Sequence, residues 1–267
     1  MTALDGLSLG FSTTPLVITS IPELPLMAPA DGEEPLNEHV EAYRFTKIVH
    51  ETVYDSVSPL NPNNSAVGKV VVVTGGGKGI GKAVASAFAL SGATGVVLLG
   101  RDKAALEASR EEIQSPGVKV LCYAADITVP DQVRAVFKAA LDIFGHIDVL
   151  INNAGYLSAA KDFDQISIED YWESFEVNVK GGIVVTLEYV KTAQPGSTIV
   201  NMSSAAAHVS FYQGYSSYSS SKLAFWRIME FVQHECPQMR TFNLNPGTCL
   251  TDMTRKSGFP TQTDLGK

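Results

Sequence analysis

The stretch VVVVTGGGKGIGKAVASAFALSG, residues 70–92, decides the fold. It opens on four valines and a threonine, a β-branched run suited to a strand buried on both faces. A glycine-dense turn follows. KAVASAFALSG at 82–92 then carries apolar residues at helical spacing and stops at a glycine. Strand, glycine-rich turn and helix in that order are the setting in which a glycine string binds phosphate. Glycine permits the tight turn and lets the backbone approach a pyrophosphate. The helix N-terminus adds unpaired N–H groups and the positive end of its dipole. A merely structural tight turn is the bland alternative, and the position between a buried strand and a helix start argues against it.

The pattern repeats along the chain. GVVLLG (95–100) reads as a strand and a helix opens at Asp102. VKVLCYAA (118–125), a helix near 130–144, and IDVLINNAG (147–155) follow. SIEDYW opens a long helix through a capping box, Ser167 to Asp170. STIVNMSS (197–204), a helix over about 216–236, and RTFNLNPG (240–247) complete the series. Apolar strands alternating with helices predict an α/β domain, a doubly wound parallel sheet of Rossmann type in the order 3-2-1-4-5-6.

Of 267 residues, 45% are hydrophobic and 18% charged, an ordinary globular composition. A net charge of −8 without any basic run excludes nucleic acid as a main partner. Cys122, Cys236 and Cys249 are odd in number and widely spaced, which argues against a disulfide framework or a metal site. The longest apolar runs fall short of a membrane span. Residues 1–43 lack the basic start of a secretory signal, so the cytoplasm is the expected location. Five prolines in the first 36 residues point to an irregular extension over 1–66, with a short helix at 37–55 capped by Asn37 and a turn at NPNN, 61–64. The remainder, 67–267, reads as the dinucleotide-binding domain.

About 20 residues past the glycine turn, an NAD site places an acid for the ribose 2′-OH. Here that count reaches Arg101, after a second strand ending in Gly100. A guanidinium suits a 2′-phosphate. Lys78, inside the turn, is a second cation near the same place. NADP(H) is therefore expected over NAD(H), with Asp102 a competitor for Arg101.

In YSSYSSSK, residues 215–222, only Tyr218 has a lysine one helical turn away, Lys222. On a helix the pair shares a face. A phenol is too weak a base at neutral pH, and a nearby cation favours its phenolate, so Tyr218 is the candidate acid/base.

Together these motifs resemble the short-chain dehydrogenase/reductase family. The resemblance covers about 68–255: Thr74-Gly75 through Lys78, Gly79, Ile80 and Gly81 in the turn, AAD at 124–126, NNAG at 152–155, Asn178 in VNVKG, MSS at 202–204, Tyr218 with Lys222, and NPGTCLT at 245–251. The layout, front extension included, is similar to fungal members. The resemblance implies that Ser204 orients the substrate oxygen, that Lys222 holds the nicotinamide ribose, and that Asn178 binds a proton-relaying water. It implies Asp126 at the adenine, Asn153 and Gly155 at the adenosine ribose, and Pro246, Gly247 and Thr251 around the nicotinamide. The spacing from Ser204 to Tyr218 is one residue longer than in many members. His208 is a weaker candidate for substrate contact, and Tyr156, Phe211, Tyr212, Tyr215 and Met253 for a pocket wall.

The activity implied is interconversion of a ketone or aldehyde and an alcohol, on a small-molecule substrate. Members usually continue beyond this chain's Lys267 through a lid, a helix and a seventh strand. A shortened domain is thus expected, its usual homo-oligomer surfaces incomplete. A non-catalytic dinucleotide-binding protein and an epimerase or dehydratase that retains its cofactor are the alternatives.

Overall fold

The computed structural model describes residues 53–113, 115–208, 213–247 and 249–257. They belong to one compact unit, Asn37–Lys267. The extension over 1–36, most of the helix at 37–55 with its Asn37 cap, and Phe211 and Tyr212 lie outside the described residues. The NPNN turn is a short 3₁₀ turn, Pro62–Asn64, in which the Asn61 side chain accepts from the Asn63 N–H at 2.9 Å.

The strands are β1 (Val70–Thr74), β2 (Gly95–Gly100), β3 (Lys119–Ala124), β4 (Val149–Asn152), β5 (Thr198–Met202) and β6 (Arg240–Leu244). They form a six-stranded sheet in the order β3-β2-β1-β4-β5-β6, parallel throughout. Between them run α1 (Gly79–Leu90), α2 (Lys103–Glu112), α3 (Pro130–Phe144), α4 (Ile168–Phe175), α5 (Gly182–Val190) and α6 (Ser216–Glu235). A short α7 (Asp252–Ser257) follows β6. The predicted doubly wound order is the one observed.

The valines of β1 show why the sheet needs cover on both sides. Val70 and Val72 enter the core shared with Phe137 of α3, Tyr189 of α5 and Phe225 and Met229 of α6. Val71 and Val73 enter the opposite core, with Ala85 and Ala89 of α1 and Leu106 of α2. Alternate side chains of a strand point to opposite faces, so an unbroken apolar run buries only between two layers.

Two features depart from a simple reading of the sequence. The helix opening at Ser167, whose hydroxyl accepts from the Asp170 N–H at 3.1 Å, is not continuous. It widens into a π-helical stretch at Glu176–Gly181 before α5 resumes. Such widened turns gather at functional sites. Secondly, β6 is an edge strand among the described residues, and the side chain of Gln233 folds over it. Its oxygen accepts from the Thr241 N–H at 2.7 Å, and its nitrogen donates to the Met239 carbonyl at 3.2 Å.

Candidate active site

The glycine turn between β1 and α1 is built by mutual exclusion. Gly75 and Gly79 hold φ of 67° and 52°, where side chains are strained. A Cβ on Gly81 would fall on the Gly75 carbonyl and come 2.5 Å from Asn153 Nδ2. Thr74 and Asn153 tie this turn to the end of β4. The Thr74 hydroxyl accepts from the backbone N–H groups of Asn153 and Ala154, both at 2.9 Å, and Asn153 Nδ2 donates to the Thr74 carbonyl at 2.8 Å. Ile80 packs into the core below. No side chain caps α1, whose N-cap is Lys78. The first-turn N–H groups are thus available beneath a turn whose glycines leave the backbone bare, and a pyrophosphate fits such a cradle. The Asn153 side chain, expected against the adenosine ribose, spends a donor on holding the turn.

Around the end of β2 the charges pair differently from the expectation. Asp102 engages Lys78 rather than Arg101, at 3.0 Å between Nζ and Oδ2. Its other oxygen caps α2 by accepting from the Ala105 N–H at 3.1 Å. Those bonds, the cap first, hold the Asp102 carboxyl below its ordinary range. The Asp102 hydrogen bond, its charge and a weaker attraction from Asp252 raise Lys78. Arg101 is exposed and forms no ion pair among the described residues. Burial works to raise the Asp126 carboxyl. Hydrogen bonds from the Thr128 backbone and hydroxyl, both 2.8 Å, together with Arg101 and Lys180, overcome that and lower it.

The catalytic candidates meet at the carboxyl edge of β5. Ser204 follows the strand, and its hydroxyl lies near enough to the Tyr218 phenol to favour the ionised form. It also accepts from the Ala206 N–H at 3.2 Å, which starts a short 3₁₀ turn. The neighbouring Ser203 hydroxyl is buried and has no hydrogen-bond partner among the described residues. Lys222 is buried, donates to the Met202 carbonyl at 2.8 Å, and places Nζ 5.8 Å from the Tyr218 ring centre. Burial lowers its pKa to about 8. The Tyr218 phenol is raised by burial, against the opposing pull of the Ser204 hydroxyl, so the depressed phenol expected from an adjacent cation is not what this geometry produces. Desolvation is the first cause, and the Lys222 ammonium is aimed at the Met202 carbonyl.

Asn178 sits in the π-helical stretch, buried. It grips the backbone of Tyr156 in both directions, Oδ1 accepting from its N–H at 2.7 Å and Nδ2 donating to its carbonyl at 2.9 Å. Nδ2 also donates to Ser221 at 2.9 Å. Both side-chain donors are spent, leaving one acceptor lone pair for a water. Through Tyr156 it anchors the loop after β4, and Gly155 is where that loop passes: a Cβ there would lie 3.2 Å from Asn178 Oδ1 and 3.5 Å from Lys222 Nζ.

After β6, Pro246 and Gly247 (φ 75°) turn the chain toward the glycine turn. Thr251 closes on it, with its methyl 3.1 Å from where a Gly79 Cβ would be. Several weaker candidates have other partners. His208 packs edge-on against Trp226 with ring centres 3.9 Å apart. Burial, with the Glu173 carboxylate nearby, raises the Tyr156 phenol, and Tyr215 is buried. The serine network was not anticipated: Ser217 lies 3.1 Å from Ser174 and 3.5 Å from Ser158, all buried. Its only trace in the sequence is the run of small residues on a helix otherwise built from large ones.

A family model described as short chain dehydrogenase matches residues 69–260. The chain belongs to the short-chain dehydrogenase family. This short-chain dehydrogenase is 30% identical over 239 residues to the short chain dehydrogenase pigC of Monascus ruber, covering 85% of this chain and 77% of that one. A short chain dehydrogenase of Burkholderia cenocepacia, solved with NADP, superposes with a TM-score of 0.67 at 30% identity, covering 71% of this chain and 78% of that one. The 3-ketoacyl-(acyl-carrier-protein) reductase of Brucella melitensis, solved with NADH, gives 0.63 at 31% identity, over 68% and 76%. The protein is an NAD(P)-dependent oxidoreductase of CH–OH groups. Among the described residues, no helix is long and apolar enough to cross a membrane.

Proposed function

We propose that this short-chain dehydrogenase interconverts a ketone or aldehyde and the corresponding alcohol with NADP(H), using Tyr218 as acid/base. The convergence of Ser204, Tyr218 and Lys222 beside the glycine turn carries the reading. When bound, the nicotinamide supplies or accepts the hydride at the carbonyl carbon. Ser204 holds the substrate oxygen and steadies the charge that develops there. Tyr218, kept protonated by burial, gives its proton to that oxygen in the reducing direction. Lys222 holds the nicotinamide ribose and restores the proton, and a water on the free lone pair of Asn178 extends the relay to solvent. Gly75, Gly79, Ile80 and Gly81 cradle the pyrophosphate, with Thr74 and Asn153 bracing them. Asp126 would meet the adenine, the loop at Gly155 would hold the ribose, and Pro246, Gly247 and Thr251 would frame the nicotinamide. Arg101 and Lys78 support a 2′-phosphate.

The domain assigned to this chemistry is 67–267, with 1–66 outside it. The three free cysteines fit a reducing compartment, and we place the enzyme in the cytoplasm. NADPH oxidation measured across a panel of ketones and aldehydes tests the mechanism. Turnover should fall by about 10²–10⁴ in Tyr218→Phe, the usual worth of a positioned acid. Undiminished turnover in that variant overturns the mechanism.

A further inference from the structure

Lys78 is the cation that projects from the glycine turn toward the end of β2, yet it does not stand free. Its ammonium is held at 3.0 Å by Asp102 Oδ2. The carboxylate is fixed independently of that pair, because Oδ1 accepts the Ala105 N–H at 3.1 Å and caps α2. Asp102 thus cannot follow Lys78 without uncapping a helix. The side chains remain about half exposed, at 61% and 56%. Arg101, one residue earlier, has its guanidinium in solvent with no ion pair among the described residues. Asp252, at the start of α7, is the other acid whose charge reaches Lys78.

We propose that Asp102 is a specificity-determining residue that restrains Lys78 and so moderates preference for a 2′-phosphorylated coenzyme, leaving Arg101 as the unrestrained phosphate contact. This rests on the NADP(H) reading and adds a residue to it. A 2′-phosphate arriving at Arg101 draws Lys78 only by breaking the pair with Asp102, and it meets the Asp102 charge as well. An adenosine 2′-OH carries no charge and asks for neither change. The chain therefore has the two cations of an NADP(H) site, with one of them partly neutralised.

Titration calorimetry with NADPH and with NADH, on the full chain, tests this. Asp102→Asn retains the helix cap, since asparagine caps as well as aspartate. It should tighten NADPH about three- to ten-fold, the scale of a surface charge pair acting on a phosphate, and leave NADH within about two-fold. In a Lys78→Ala background most of the Asp102→Asn gain should vanish. An unchanged NADPH-to-NADH ratio in Asp102→Asn overturns the proposal, as does a gain that persists in full without Lys78. Arg101→Ala tests the underlying reading separately. If it leaves the ratio unmoved, and the wild type binds NADH as tightly as NADPH, the NADP(H) reading fails. The Asp102–Lys78 cycle still gives its own answer.

Discussion

Lys222 carries an ammonium group into a place that water barely reaches, with the Met202 carbonyl as its hydrogen-bond partner. Burial penalises the charged form, so the folded pKa falls to about 8 from the ordinary lysine value. The sign of the linkage follows. Between the two pKa values the folded protein has released a proton that the unfolded chain still holds, so stability rises with pH across that window. Urea unfolding of wild type and Lys222→Met at several pH values isolates the effect. The difference should move in favour of wild type by at most about 1.4 kcal/mol per unit between about pH 8 and 10. A flat or opposite trend would show that Lys222 is not a desolvated cation. Asn178 makes a second residue-scale case. Asn178→Ala removes three hydrogen bonds and leaves the Tyr156 backbone unpaired, so it should cost about 2–4 kcal/mol, measured the same way. Catalysis should fall further than that loss explains, because the loop at Gly155 is released.

Where two helices cross, small residues set how closely they approach. A Cβ on Gly182, at the start of α5, would come 2.5 Å from the ring of Phe225 in α6. The buried serines Ser174 and Ser217 serve the same closeness between α4 and α6, bonding to each other as they pack. Serines 217 and 221 of the YSSYSSSK stretch are thus interface, and Tyr218 and Lys222 are presented by the same helix. At the sheet edge, Gln233 substitutes for one peptide unit of a neighbouring strand, accepting from Thr241 and donating to Met239. Exposed edges invite pairing with other chains, and a side-chain amide in those positions blunts one. Gln233→Ala should lower stability by about 1–2 kcal/mol and promote self-association. Urea titration and light scattering at rising concentration check both, and a variant that stays as monodisperse as wild type would remove the edge-blocking role.

Taken whole, the molecule is a sheet whose carboxyl edge collects parts from distant points of the chain. The proposed coenzyme cradle joins β1, β4 and the segment after β6, so binding there should stabilise the whole fold. NADPH at about 100 times its Kd should add roughly 2.7 kcal/mol, a rise in Tm of about 5–10 °C for a domain of this size. Gly81→Leu, which cannot form the turn, should lose that rise; a retained rise would place the coenzyme elsewhere. The strand order and element sequence were legible because long apolar runs and helical spacing are local patterns that admit one economical topology. Residue types for a phosphate turn and a phenol–amine pair were legible for the same reason: their spacing along one element sets which face they share. Partnerships across elements were not. That Asp102 takes Lys78 rather than Arg101, that Asn178 spends its amide on Tyr156, and that His208 lies against Trp226 depend on where separate elements come to rest. So does the upward shift of Tyr218, since desolvation is a property of the packed site and not of the four-residue step that brings Lys222 alongside.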